Sequence, residues 1–181
     1  NYIFFLGNTD PKKNVPRTLK AYSLYLQYSN QKRPLLIADL KEDVLDEILK
    51  KLQIEHIKLH IHCTGYVPNS DLPYLYNGAY IFLYTSLRES FGIPILEAMA
   101  CGTPVITSNT SSMPEIAGEQ AILVNPYKEE NIMEKLLLLE SDTHLYQQQV
   151  IYGLQRIKTF SWENTAKKLL SIYSSLSKEQ A

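Results

Sequence analysis

Two glutamates, Glu89 and Glu97, are the residues whose type and spacing best suit chemistry in this chain. They bracket the run Glu89-Ser90-Phe91-Gly92-Ile93-Pro94-Ile95-Leu96-Glu97, which continues into Ala98-Met99-Ala100-Cys101-Gly102-Thr103-Pro104-Val105. Apolar, strand-like stretches flank it, Ala79 to Tyr84 before and Val105 to Thr107 after, so the segment between reads as a loop and then a helix. Glu89 then lies in a loop at the mouth of a sheet. Glu97 lies about one turn inside the helix, whose N-terminus Gly92 leaves open. Free N–H groups at a helix N-terminus suit phosphate, and ionised carboxylates accept hydrogen bonds from hydroxyls. A diphosphate carrying many hydroxyls is a nucleotide sugar.

The elements that must position these groups follow from the apolar pattern. Tyr2 to Leu6 is a short continuous apolar run, read as a buried strand, and Gly7 to Asn14 is a polar loop. Leu19, Tyr22 and Leu26 give Val15 to Tyr28 a helical period. Pro34 to Ala38 reads as a second strand, Glu42 to Leu52 as an amphipathic helix, and Ile57 to Cys63 as a third strand. Asp71 to Asn77 reads as a helical turn. Ser112-Met113-Pro114-Glu115 has the form of a capping box, with proline in the first turn and Gly118 ending the helix. Ala121 to Val124 is a last strand, helices follow from Glu129, and Ser177 to Ala181 reads as a frayed tail. Strands alternating with helices predict an α/β fold, a doubly wound parallel sheet covered on both faces. Ligands bind such sheets at the carboxyl ends of strands. The candidate loops are therefore Gly7–Asn14, Gly65–Asn69, Thr85–Gly92 and Ser108–Met113.

At 181 residues with 45% apolar and 20% charged side chains, the chain reads as one globular domain. Its net charge of −1 gives nucleic-acid binding or anionic membranes no global support. No apolar run reaches membrane-spanning length. Opening on a strand at Asn1, without Met, it reads as a piece of a longer protein. Cys63 and Cys101 lack metal spacing and read as buried, reduced thiols. His60 and His62 alternate on the predicted third strand, but two histidines alone do not make a metal site, and no metal is expected. No glycine-rich dinucleotide fingerprint, P-loop or Asp-x-Asp pair occurs, and Ser90 and Ser108 have no His/Asp order of a hydrolase triad. Tyr66 and Tyr84, at strand ends, are candidates to stack on a base or sugar.

The bracketed string resembles the E-x7-E signature of the family 4 retaining glycosyltransferases, which have the GT-B fold. A bare glutamate pair at this spacing is common by chance, but Glu-Ala-Met-Ala-Cys-Gly-Thr-Pro-Val is nearly that family's consensus. The resemblance extends from Phe5-Leu6-Gly7 to Phe160-Ser161-Trp162-Glu163. It implies a Rossmann-like, C-terminal donor-binding half, covering residues 1–181, of an enzyme moving a hexose from a nucleoside diphosphate sugar to a hydroxyl with retention. UDP- or GDP-sugar is then the substrate and no cofactor is expected. In the family, the first loop has a glycine, an adjacent arginine and a lysine after an Asp-Pro turn, and these bind the donor diphosphate. Gly7 and Lys13 match the first and last. Asn8 stands where the arginine is expected, leaving Lys12 or Arg88 to supply that charge. Lys13 and Glu89 are the implied catalytic residues. Gly7, Asn8, Lys12, Tyr66, Phe91, Gly92, Ile93 and Glu97 complete the implied donor site, with Glu89 on sugar hydroxyls and Glu97 on the ribose.

The Pro-Lys-Lys-Asn loop slightly favours a mannosyl-type or related donor over a glucosyl one. The acceptor, a glycan or lipid-linked glycan of polysaccharide biosynthesis, is expected to bind a missing N-terminal half, and the protein is expected to be cytoplasmic, the full-length form peripheral to the inner face of the membrane. Two alternatives share this half-site: a GT-B nucleotide-sugar epimerase and a non-catalytic nucleotide-sugar-binding module. Ser161 is a good N-cap for a final helix whose stripe is Trp162, Ala166, Leu169, Leu170, Tyr173 and Leu176. Without the missing half, this stripe is expected to drive self-association, and the chain alone is expected not to turn over donor.

Overall fold

The computed structural model describes residues 1–179, and Gln180 and Ala181 lie outside the described residues. Six strands, β1 Tyr2–Leu6, β2 Leu35–Ala38, β3 Ile61–Gly65, β4 Ala79–Tyr84, β5 Val105–Ser108 and β6 Ile122–Val124, form one sheet. Every neighbouring pair is parallel, in the order β3-β2-β1-β4-β5-β6. The chain builds outward from β1 in one direction and outward from β4 in the other. The seam between β1 and β4 is therefore a topological switch point, where the loops after adjacent strands diverge and leave a crevice.

Alternation along the strands assigns the helices to two layers. Ile3 and Phe5 of β1 face one core with Leu19, Tyr22, Leu45, Leu136 and Leu139. These come from α1 Val15–Tyr28, α2 Glu42–Leu52 and α6 Glu129–Ser141. Phe4 faces the other core with Tyr76, Ile95, Met99, Met113 and Ile116. These belong to α3 Leu72–Gly78, α4 Ile93–Ala100 and α5 Met113–Ala117, and α7 Thr143–Arg156 packs outside α4. Burial on both faces is why β1 and β4 read as continuous apolar runs. Gly153 lets α7 approach α4, since a Cβ there would meet Met99 Cγ at 3.1 Å.

Four expectations need correction. Glu55–His60 is a 3-10 segment and the strand begins at Ile61, so His60 and His62 do not share a strand face. The apparent alternation was deceptive: Ile57 is buried but Leu59 is 74% exposed. Ser112 precedes α5 but makes no cap bond, its hydroxyl being used elsewhere. Ser177–Glu179 continue the last helix, α8 Trp162–Glu179, and are not frayed coil. Cys63 and Cys101 are only partly buried.

Burial, aided by the Glu42 charge, pushes the Cys63 thiol up to about 11, and burial, then Glu97, raises Cys101. Alkylation needs thiolate. Both cysteines are thus expected to resist iodoacetamide at pH 7 in the folded chain and to react once unfolded, as read by mass spectrometry. Rapid labelling of the native chain would contradict this.

Ser161 caps α8, its Oγ accepting from the Asn164 N–H at 3.0 Å. The predicted stripe is exposed throughout, from Trp162 at 85% down to Leu169 at 46%.

Candidate functional site

The loop after β1 is a chain of turns. Asn8 Oδ1 accepts from the Asp10 N–H at 3.0 Å, and Asp10 Oδ1 from the Lys12 N–H at 3.0 Å. Pro11–Lys13 form one 3-10 turn, and Asn14 leaves it in the left-handed region at φ 61°, which asparagine tolerates well. Asn14, 2% exposed, is the lock of this loop. Its Nδ2 donates to the carbonyls of Thr85 at 3.1 Å and Pro126 at 2.8 Å. Beside it, the Thr18 and Thr85 hydroxyls share a 2.6 Å hydrogen bond, and the Leu87 N–H donates to the Lys12 carbonyl at 2.7 Å. The loop after β1 is thereby tied to the loop after β4.

The loop after β4 is held from its other side by hydroxyls. Thr107 and Ser108 donate to the carbonyls of Tyr84 and Ser86 at 2.9 and 2.6 Å. Thr110 donates to Leu87 at 3.1 Å, Ser111 to Glu89 at 2.8 Å, and Ser112 to Glu89 and Phe91 at 3.0 and 2.8 Å. These bonds fall on carbonyls from Tyr84 to Phe91 and tie the end of β4 and the loop after it to the chain after β5. A side chain on Glu89 thus starts from a fixed backbone.

Between the two loops, Lys13 Nζ lies 2.7 Å from Glu89 Oε1, with the two side chains only 18% and 14% exposed. Lys13 also reaches the Tyr84 hydroxyl at 3.4 Å. Burial alone would raise the Glu89 carboxyl, but hydrogen bonds from Lys13, Tyr84 and Ser86 together hold it below its ordinary value. Burial, then Glu89, pushes Tyr84 up, so its hydroxyl stays a donor.

The next structure along the chain is α4. Gly92 precedes it at φ 106°, a conformation glycine alone takes readily. Pro94 has no N–H, and that of Ile95 donates back to the Gly92 carbonyl. No acceptor among the described residues meets the N–H groups of Gly92 and Ile93. One turn on, Glu97 Oε2 accepts from the Tyr76 hydroxyl at 2.9 Å. Glu97 lines a groove of 670 Å³ with Phe91, Ile93, Leu96 and Trp162.

The structure brings Lys13 and Glu89 together at the β1–β4 seam, with Gly7 beside Lys13: a Cβ on Gly7 would meet the Phe5 ring at 2.6 Å and Lys13 Cβ at 3.4 Å. Lys12 instead pairs with Asp10 at 3.1 Å on the surface, and Arg88 is exposed. Tyr66 is 80% exposed beyond β3. The Tyr84 ring cannot stack on a ligand, because it is buried against Phe82. Phe91 is half-exposed and packs edge-on against Phe160 at 6.1 Å. Among the described residues, no three His, Cys, Asp or Glu cluster to hold a metal ion. Sequence reasoning missed Asn14, Tyr76 and the hydroxyl run Thr107–Ser112 as supports. The run itself, a string of short polar side chains just after a strand, was the available signal.

Together, the doubly wound sheet and the crevice at its switch point define the Rossmann-like half of a GT-B glycosyltransferase. The sequence profile of the "Glycosyl transferases group 1" matches residues 1–156, and the chain belongs to that family. It is 35% identical over 178 residues to the O-antigen chain mannosyltransferase B of Escherichia coli, covering 97% of this chain and 46% of the relative. It is 34% identical over 170 residues to an Escherichia coli serotype-specific mannosyltransferase, covering 91% of this chain and 20% of that one. The chain therefore spans less than half the length of these curated relatives.

Among solved structures, the C-terminal domain of a glycosyl transferase group 1 family protein from Francisella tularensis superposes with a TM-score of 0.74. It is 23% identical, covering 87% of this chain and 85% of that one. A sucrose-phosphate synthase from Thermosynechococcus elongatus gives 0.79 at 21% identity, covering 99% and 46%. These likenesses are of fold.

Proposed function

We propose that this chain is the donor-binding domain of a retaining hexosyltransferase, and that its donor is a nucleoside diphosphate mannose. The observation that carries the reading is the largely buried Lys13–Glu89 pair where the loops after β1 and β4 meet, and the N–H groups of Gly92 and Ile93, just along the chain from Glu89, are unmet among the described residues. A cation and a helix N-terminus suit a diphosphate whose charge grows as it leaves. Lys13 offsets that charge, with Lys12 or Arg88 as a further cation. Glu89, ionised and fixed, accepts from sugar hydroxyls, and Glu97 accepts from the ribose. Gly7 lets the backbone of the loop after β1 lie against the Phe5 ring and present the loop to the diphosphate, Tyr66 and Phe91 offer faces to base or sugar, and Asn8 serves the loop's turn. The names of the two Escherichia coli relatives support mannose. No metal is needed in this reading.

The acceptor, a glycan or lipid-linked glycan, binds across the cleft on a second domain, and the whole protein works at the cytoplasmic face of a membrane. No helix among the described residues is long and apolar enough to cross one.

The test is calorimetry of GDP and UDP on this chain and on Glu97→Ala. Charge-assisted hydrogen bonds are worth about 1.5–3 kcal/mol, so affinity for the better nucleotide is expected to fall about tenfold or more. Equal affinities would reject the ribose role.

A further inference from the structure

Tyr76 is 1% exposed, its ring wedged between Phe4 at 5.3 Å and Phe82 at 5.1 Å, both edge-on. Its backbone is tied as well, the Thr103 hydroxyl donating to its carbonyl at 2.6 Å. A ring packed on two sides and anchored behind cannot follow a moving partner. Its hydroxyl reaches one acceptor, Glu97 Oε2. A buried hydroxyl without an acceptor is costly, so the tyrosine holds the carboxylate as firmly as the core holds the tyrosine. Burial first, and the Glu97 charge second, raise the Tyr76 hydroxyl above the ordinary tyrosine range, so it remains a donor at working pH.

Glu97 Oε1 meets no donor among the described residues. A carboxylate oxygen has room for two donors. Oε2 can therefore accept from Tyr76 and one vicinal hydroxyl, while Oε1 accepts from the other. A glutamate free to rotate loses side-chain freedom when it grips a ligand, and one already fixed does not.

We propose that Tyr76 is a specificity-determining positioning residue, which fixes Glu97 in the orientation that recognises a ribose diol and so makes the site prefer ribonucleotides to deoxyribonucleotides. This rests on the reading of Glu97 given above. Tyr76 touches no ligand and acts only through Glu97.

The experiment measures binding of GDP against 2′-deoxy-GDP, and of UDP against 2′-deoxy-UDP, to the wild-type chain and to Tyr76→Phe. The wild type is expected to prefer the ribonucleotide by about tenfold in at least one pair, the value of a charge-assisted hydrogen bond. Tyr76→Phe is expected to bring that ratio below about threefold, with the loss falling on the ribonucleotide and the deoxynucleotide unchanged. A merely structural tyrosine would weaken both and leave the ratio intact, and an unchanged ratio overturns the proposal. If the wild type itself does not discriminate, the assignment of Glu97 to ribose fails and the proposal with it. Should Tyr76→Phe not fold, the wild type still gives an answer. The buried Tyr76 hydroxyl proton, followed by NMR, should shift on adding GDP or UDP and not on adding the deoxy counterpart. The same response to both, or to neither, overturns the proposal.

Discussion

Replacing Lys13 with alanine is expected to weaken a nucleoside diphosphate by about ten- to a hundredfold, while the free nucleoside changes by less than about twofold. The lysine acts on phosphate, so the split between the two ligands is its signature. Titration of GDP against guanosine, and of UDP against uridine, reads it. Equal loss on both would make Lys13 a structural residue.

The same substitution has a second, acid-dependent effect. Glu89 is held below its ordinary value of 4.5 in the folded chain. Between the two values the unfolded chain binds more protons, so Glu89 contributes stability that is full above about pH 4.5 and lost as pH falls through its folded value. Alanine at position 13 removes the largest of the lowering hydrogen bonds and leaves the burial, so the carboxyl rises. The variant is expected to be less stable by about 1–3 kcal/mol at pH 7, the cost of leaving a partly buried group without its partner. The gap to wild type should narrow at pH 3.5. Urea melts at the two pH values test this, and a gap that widens in acid would show that the pair is not what holds Glu89 ionised.

The second large effect is expected at Asn14. Alanine there leaves the carbonyls of Thr85 and Pro126 unmet in the interior, at about 1–3 kcal/mol each. It also places a Cβ-bearing residue without a local polar group at φ 61°, at a further cost of about 1 kcal/mol. The sum, about 3–7 kcal/mol, is a large share of the usual total stability of a domain. Asn14→Gly separates the terms, because it restores the backbone freedom and not the hydrogen bonds. It should recover only about 1 kcal/mol of the loss. An alanine variant within about 1 kcal/mol of wild type in denaturant melts would refute the locking role.

The fold was largely legible because its strands announce themselves. β1 and β4 are buried almost throughout, on both faces, so they read as continuous apolar runs, and the polar side chains of β5, Thr107 and Ser108, are buried only because their hydroxyls find carbonyls. β3 was misplaced because Ile57, Leu59 and Ile61 mimic alternation over a 3-10 segment, and two turns of it are too short to show their own period. The strings around Lys13 and Glu89 are distinctive, and the structure pairs the two side chains. What supports them was not legible. Ser112 has the form of a cap, yet its hydroxyl goes to carbonyls more than twenty residues back. Tyr76 looks like any apolar-face aromatic until the partner of its hydroxyl is known. Asn14 differs from other loop asparagines only in where its amide points. Local pattern cannot reveal a partner that the tertiary fold supplies.

The seam between β1 and β4 joins residues 76 positions apart at the Lys13–Glu89 pair. The sheet grows as two wings from that seam, and the wing of β1, β2 and β3 precedes β4 entirely in the chain. Each wing can form internal contacts of short loop length, but the crevice exists only once the wings have closed on one another. Closing so long a loop is a slow, entropically costly step. Anything that grips both crevice walls therefore acts as a clasp on the whole sheet. Its binding should suppress opening of the wings even where it touches nothing, so a small molecule lodged at one end of the strands would slow amide exchange along their full length.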